Sequence, residues 1–192
     1  MAQDCDRLLA QVVQISERRF QSPAHALPAI LKMLGFRIRW SDQVPDDVYA
    51  YTLFDRREVV VARDLRGRLK FPGSVRGVLH ACLAHELAQI RLRSWRPGKC
   101  RSPDKEVYAY SCALLVPQRE VLGQPETRVL QGGLLQDQET MWKQVLRLAE
   151  RYQVTGAFMA LALQRYGVIR FHRKRREIRP CPVSLRRATR VA

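Results

Sequence analysis

Apolar residues fall at helical spacing near the start of the chain. Leu8, Leu9, Val12, Val13 and Ile15 share one side of a helix predicted over residues 6–20, with Asp6 as a capping side chain. Pro23 and Pro28 punctuate the next stretch, where a second helix is predicted over about 24–34, ended by Gly35. The period then changes. Phe36-Arg37-Ile38-Arg39-Trp40 alternates apolar and polar as a half-buried strand does. Residues 49–54 give a second strand, Asp55-Arg56-Arg57 a turn, and Glu58 to Arg63 a third strand. Three short strands joined by tight turns predict a small antiparallel or mixed sheet.

A loop with Gly67, Pro72 and Gly73 follows, and the helical period returns. Ser74 is placed to cap a long helix over about 74–94, with Val78, Leu79, Leu83, Leu87 and Ile90 among its apolar positions. Trp95-Arg96-Pro97-Gly98 stops it. Another helix is predicted over 103–116, ending at Pro117. A Gly- and Gln-rich loop over 123–137 separates it from a helix at about 138–152 and a last one from Thr155 to Tyr166, closed by Gly167. Helices, then strands, then helices make the fold class α+β, with a three-stranded sheet packed against a mainly helical body. The reading places one domain over 1–168, its last part (138–168) a helix-turn-helix-like pair, and a basic tail over 169–192.

Composition narrows the class without changing this outline. The 192 residues are 46% apolar, ordinary for a globular chain. No apolar run approaches the roughly 20 residues that span a bilayer. The acidic start Met1-Ala2-Gln3-Asp4-Cys5-Asp6 is unlike a signal peptide, so a cytoplasmic location is expected. The five cysteines are odd in number and none is spaced C-x-x-C, which argues against a disulfide framework or a zinc ribbon.

Charge is more informative. The net charge is +16, and ten Lys or Arg against one acid, Glu177, lie from Arg165 onward, about half of the excess. Arg173, Lys174, Arg175 and Arg176 form its densest run. Such a segment favours acidic partners such as nucleic acid, and it equally serves as a solvated tail.

One short motif carries chemistry. His85-Glu86-Leu87-Ala88-Gln89 matches the zinc-peptidase motif H-E-x-x-H except at its last position. Residues three and four apart on a helix share a face, so His85, Glu86 and Gln89 project together. In H-E-x-x-H the histidines hold zinc, and the glutamate takes a proton from the metal-bound water.

The surrounding segments resemble the ImmA/IrrE family, metallopeptidase-like proteins that act on repressors of mobile elements and of DNA-damage responses. The likeness runs from about Leu27 to Ile169 and has four parts. Strands Phe36–Trp40 and Ala50–Ala62 stand where the family has a strand pair. Leu83-Ala84-His85-Glu86-Leu87-Ala88-Gln89 is similar to L-A-H-E-L-G-H. Asp104 to Pro117 is similar to E-x-x-A-N-x-F-A-A-x-L-L-M-P. Leu148 to Thr155, continuing to Gly167-Val168-Ile169, resembles L-A-x-x-F-x-V-S and a closing L-G-L-I.

The resemblance implies zinc as cofactor, Glu86 as general base, and metal ligands at His85, Gln89 and Asp104. Two of those three positions depart from the family. Gln89 replaces a histidine with a neutral, weak donor, and Asp104 replaces a glutamate with a shorter acid. Glu106 is the nearest longer acid, and Cys82, three before His85, is a candidate substitute ligand. Tyr108 stands in place of the family's Asn.

Three functions follow as expectations. The first is a metallopeptidase-like protein with a degenerate zinc site, binding a helix-turn-helix repressor or similar regulatory partner in stress or mobile-element control. The second is an active zinc endopeptidase with a variant ligand set that cleaves such a repressor. The third is a nucleic-acid-binding module acting through the basic tail. For the third, the helix from Thr155 is too apolar to read base edges, and a packed core helix is the expected role.

Overall fold

The change of period at Gly35 is built by the end of a helix. Helix α2, Pro23–Met33, closes with the Gly35 N–H bonded to the Lys32 carbonyl and the Phe36 N–H bonded to the Leu31 carbonyl, each at 2.9 Å. This double closure requires a left-handed residue, and Gly35 has φ +79°. A Cβ added there meets the Arg57 guanidinium at 3.1 Å. Gly35→Ala is therefore expected to cost about 1–2 kcal/mol, read as a lower urea midpoint at unchanged slope.

The computed structural model describes residues 2–16, 22–68, 74–95, 104–132, 137–172, 175 and 177–181. The chain divides into two units, Met1–Leu115 and Val116–Ala192. The class is α+β, and no described helix is long and apolar enough to cross a membrane.

In the first unit, α1 (Ala2–Ser16), α2, α3 (Val75–Trp95) and α4 (Asp104–Leu115) accompany a mixed sheet. The predicted continuation of α1 to residue 20 lies outside the described residues, as do Pro72, Gly73 and 96–98 of the predicted loop and helix stop. Strands β1 (Arg37–Ser41), β2 (Ala50–Leu53) and β3 (Glu58–Ala62) lie in the order β1-β3-β2. β1 runs parallel to β3 from Arg37↔Glu58 to Ser41↔Ala62, and β2 runs antiparallel to β3 with Thr52 opposite Val59. The central strand is buried along its length, through Val59, Val60, Val61 and Ala62. Its one charged residue, Glu58, takes hydrogen bonds from Arg37 Nε at 2.8 Å and Arg39 Nε at 3.0 Å. The Arg39 bond first, then Arg37 working against burial, holds its carboxyl below the usual range.

Helix α3 starts as its sequence predicts. Ser74 Oγ accepts the Gly77 N–H at 3.2 Å, three residues on, as an N-cap does. Helix α1 is anchored by a buried carboxylate. Asp4 accepts from Arg91 of α3 (Nη2 at 2.7 Å, Nε at 3.3 Å), from the Tyr110 hydroxyl of α4 at 2.5 Å, and from Arg7 at 2.8 Å.

The second unit holds α5 (Gln118–Leu122), α6 (Pro125–Gln131), α7 (Gln138–Arg151), α8 (Gly156–Arg165) and a hairpin of β4 (Ile169–His172) and β5 (Glu177–Pro180). Both helices of the pair are capped, the second by the predicted Thr155. Asp137 Oδ1 accepts the Thr140 N–H at 2.8 Å, and Thr155 Oγ1 accepts the Phe158 N–H at 3.1 Å.

The second unit departs from the sequence reading in α5, in α6 and in the hairpin. The stretch 123–137, predicted as loop, contains α6. Pro125 supplies a preset φ for its first turn, and Thr127 and Leu130 are buried from it. Thr127 Oγ1 also donates to the Val121 carbonyl at 2.6 Å. The segment after residue 168, predicted as a basic tail, opens with the β4–β5 hairpin, because Ile169, Phe171 and Ile178 alternate with charged residues and give the ribbon an apolar face. The tail's residues 182–192 lie outside the described residues.

Candidate functional site

Helix α3 carries Cys82, His85, Glu86 and Gln89 within two turns. Its Glu86 points at the sheet. The Thr52 hydroxyl donates to Glu86 Oε2 at 2.7 Å, and the Thr52 backbone N–H also bonds the carboxylate. That N–H is available because β2 is an edge strand. Arg93, seven residues further on and so on the same side of the helix, lies 4.0 Å over the Phe54 ring at the end of β2. These contacts fix the register of α3 against β2. Glu86 is buried, and burial pushes its carboxyl up to about 7 against the opposing pull of the Thr52 hydrogen bonds.

The other motif positions are half-buried. Cys82 lies one turn before Glu86. Burial, with the Glu86 charge added, pushes its thiol up to about 12, so at neutral pH it is a protonated thiol. His85 and Gln89 are both half-buried on the same helix. His80 is buried on a different side of α3, its ring edge-on to His25 of α2 at 5.8 Å. His25 in turn sits with Nδ1 3.3 Å from Ser22 Oγ.

The expected third ligand, Asp104, is the first residue of α4, and its side chain lies outside the described residues. Glu106 is half-buried on α4. Among the described residues, no group of three His, Cys, Asp or Glu side chains is placed to hold one metal ion. What α3 offers is one imidazole, one neutral amide and a protonated thiol beside a carboxyl already bonded to Thr52. Zinc is ordinarily bound by thiolate, imidazole and carboxylate, and the Gln89 amide is a poor donor beside these.

The basic residues of the third expectation are placed only in part. Arg173, Lys174 and Arg176 lie outside the described residues. Arg175 is exposed, and its backbone N–H donates to His172 Nδ1 at 3.3 Å. Helix α8 buries Phe158, Met159, Ala160, Ala162 and Leu163, which leaves it little surface to read a base.

Thr52 is the site residue that sequence reasoning misses. Nothing in the spacing of a short strand says which of its hydroxyls will face a helix 34 residues later. The signal becomes visible only once β2 is known to be the edge beside α3.

The chain matches no protein-family model and none of the curated proteins. A solved structure of a Mycobacterium tuberculosis transcriptional regulator aligns with a TM-score of 0.46 at 14% sequence identity, over 84% of this chain. The chain spans 46% of the length of that structure.

Proposed function

We propose that this chain is a metallopeptidase-like regulatory protein with a degenerate zinc site, acting by binding a helix-turn-helix repressor or similar regulatory partner. The reading rests on the resemblance of its segments to the ImmA/IrrE family. One observation supports the degenerate site. Glu86, the residue in the general-base position, is buried and hydrogen-bonded to Thr52, beside a helix face whose Gln89 is a poor zinc donor. A base that activates a metal-bound water works only beside ligands that hold the metal there.

Metal analysis of the freshly purified full chain tests this. Zinc well below one equivalent is the expected result, together with a complex in which a repressor of this class keeps its intact mass. One equivalent of zinc surviving dialysis against a chelator, with repressor cleavage abolished by Glu86→Gln, overturns the reading in favour of an active zinc endopeptidase.

A further inference from the structure

We propose that the outward face of the β4–β5 ribbon is a docking surface for the phosphate backbone of duplex DNA. The register puts Arg170 opposite Arg179 and His172 opposite Glu177. Side chains alternate across a strand, so these four share one face, and Ile169, Phe171, Ile178 and Pro180 share the other. The apolar face is occupied. Ile169 and Ile178 are buried, and Phe171 meets the Trp142 ring of α7 edge-on at 5.7 Å.

One side chain also bonds each edge of the ribbon. The Gln138 amide pairs with the backbone of Ile178, donating to its carbonyl at 2.6 Å and accepting its N–H at 2.8 Å. Gln164 Oε1 accepts the Phe171 N–H at 2.8 Å on the opposite edge. Ile169 and Ile178 are held inward, so the ribbon turns Arg170, His172 and Arg179 outward.

That face is built against its own stability. Like charges directly opposite on a strand pair repel. The one carboxylate on the face, Glu177, is taken by Arg179, with Nη2 to Oε1 at 2.5 Å. Arg170 is exposed and makes no ion pair with any described carboxylate. Arg175 extends the positive charge at the turn. An open concavity of about 540 Å³ is bordered by Arg170, His172, Arg175 and Arg179, with Glu177 and the apolar Ile169 and Phe171 also lining it. The guanidinium groups of Arg170 and Arg175, which pair with no described carboxylate, match phosphate oxygens.

Chemistry and shape favour DNA among anionic partners. The outward side chains include no apolar wedge to enter a bilayer. A two-stranded ribbon fits the major groove of B-form DNA, whereas the A-form RNA groove is too deep and narrow for it. Helix α8, buried along five of its residues, does not compete for that role. The net charge of +16 draws the duplex in over long range. Contacts of this kind position a duplex without reading its sequence. The inference does not depend on the peptidase-like reading of the first unit.

The test is fluorescence anisotropy of the full chain with a labelled random-sequence duplex of about 20 base pairs, titrated across salt. Wild type is expected to bind with log K falling linearly in log salt. R170A/R175A is expected to flatten that slope by about 2 and weaken binding at least roughly tenfold, since each lost phosphate contact removes about 0.9 from the slope. The single variant R170A, which breaks no ion pair, is expected to flatten it by about half as much. R186A/R187A removes the same charge outside the described residues and is expected to keep most of the affinity. Equal weakening by the two double variants overturns the proposal, because net charge alone then explains binding. So does binding to phosphatidylserine vesicles as tight as to the duplex, or no binding to the duplex at all.

Discussion

Asp4→Ala is expected to lower the unfolding free energy by about 3–5 kcal/mol, the range for breaking a buried ion pair from one side. Asp4 is buried, and Arg91 forks onto both of its oxygens while the fully buried Tyr110 donates to one of them. Removing the carboxylate takes the Asp4 charge from an Arg91 guanidinium only 16% exposed, and the Asp4 acceptor from a buried phenol. Burial alone raises the Asp4 pKa, but the hydrogen bonds from Arg91, Tyr110 and Arg7 outweigh it, and the net shift is downward. A lowered carboxyl stabilises fully above its unfolded value of 3.8, and its contribution is lost as pH falls through the lower folded value. The gap between wild type and Asp4→Asn in urea melts should therefore be wide at pH 7 and shrink in strong acid. A gap under about 1 kcal/mol at neutral pH would place Asp4 among ordinary surface ion pairs instead.

The reach of this network shows where sequence patterns stop. Asp6 was the acid that the helical period offered as a cap, whereas α1 begins at Ala2 and Asp4 is the acid it buries. Arg7 is a local partner, but Arg91 and Tyr110 are 87 and 106 residues away, a distance that no local pattern encodes. Strands β1 to β3 were legible from their alternation, but alternation is the same whichever strand lies in the middle. The order β1-β3-β2, and with it the edge position of Thr52, depends on tertiary packing.

Helix α6 was hidden by its glycine and glutamine neighbours, although Pro125 at its first turn was a usable signal. The β4–β5 hairpin was hidden by its own charge. Ten basic residues have the composition of a solvated tail, and they mask the alternation of Ile169 and Phe171, answered by Ile178. The motif on α3 was legible because it needs only helical geometry and three nearby positions. The engagement of Glu86 was not, since its partner sits on another element.

Glu86→Gln is expected to stabilise the protein at alkaline pH while leaving it nearly unchanged in mild acid. Burial pushes the Glu86 carboxyl from 4.5 up to about 7, so the folded state holds this proton more tightly than the unfolded chain does. The sign follows from linkage. Its effect on stability is most favourable below the unfolded value of 4.5, declines as pH rises through the interval, and levels off above about 7. At about 1.4 kcal/mol per pH unit, the total decline is on the order of 3 kcal/mol. Glutamine keeps an amide oxygen for the Thr52 hydroxyl and never ionises, so the variant escapes the decline. Urea melts at pH 5 and pH 8 check this: the variant should match wild type at the first and exceed it by roughly 2–3 kcal/mol at the second. Equal stability at both pH values would mean that Glu86 is solvated enough to ionise freely. Thr52→Val separates burial from hydrogen bonding within the same site. It deletes the hydroxyl that favours the charged carboxyl, so the decline should extend to higher pH and the variant should lose more stability at pH 8 than at pH 5. A Thr52→Val loss that is the same at both pH values would assign the hydroxyl to packing and leave burial as the sole cause of the Glu86 shift.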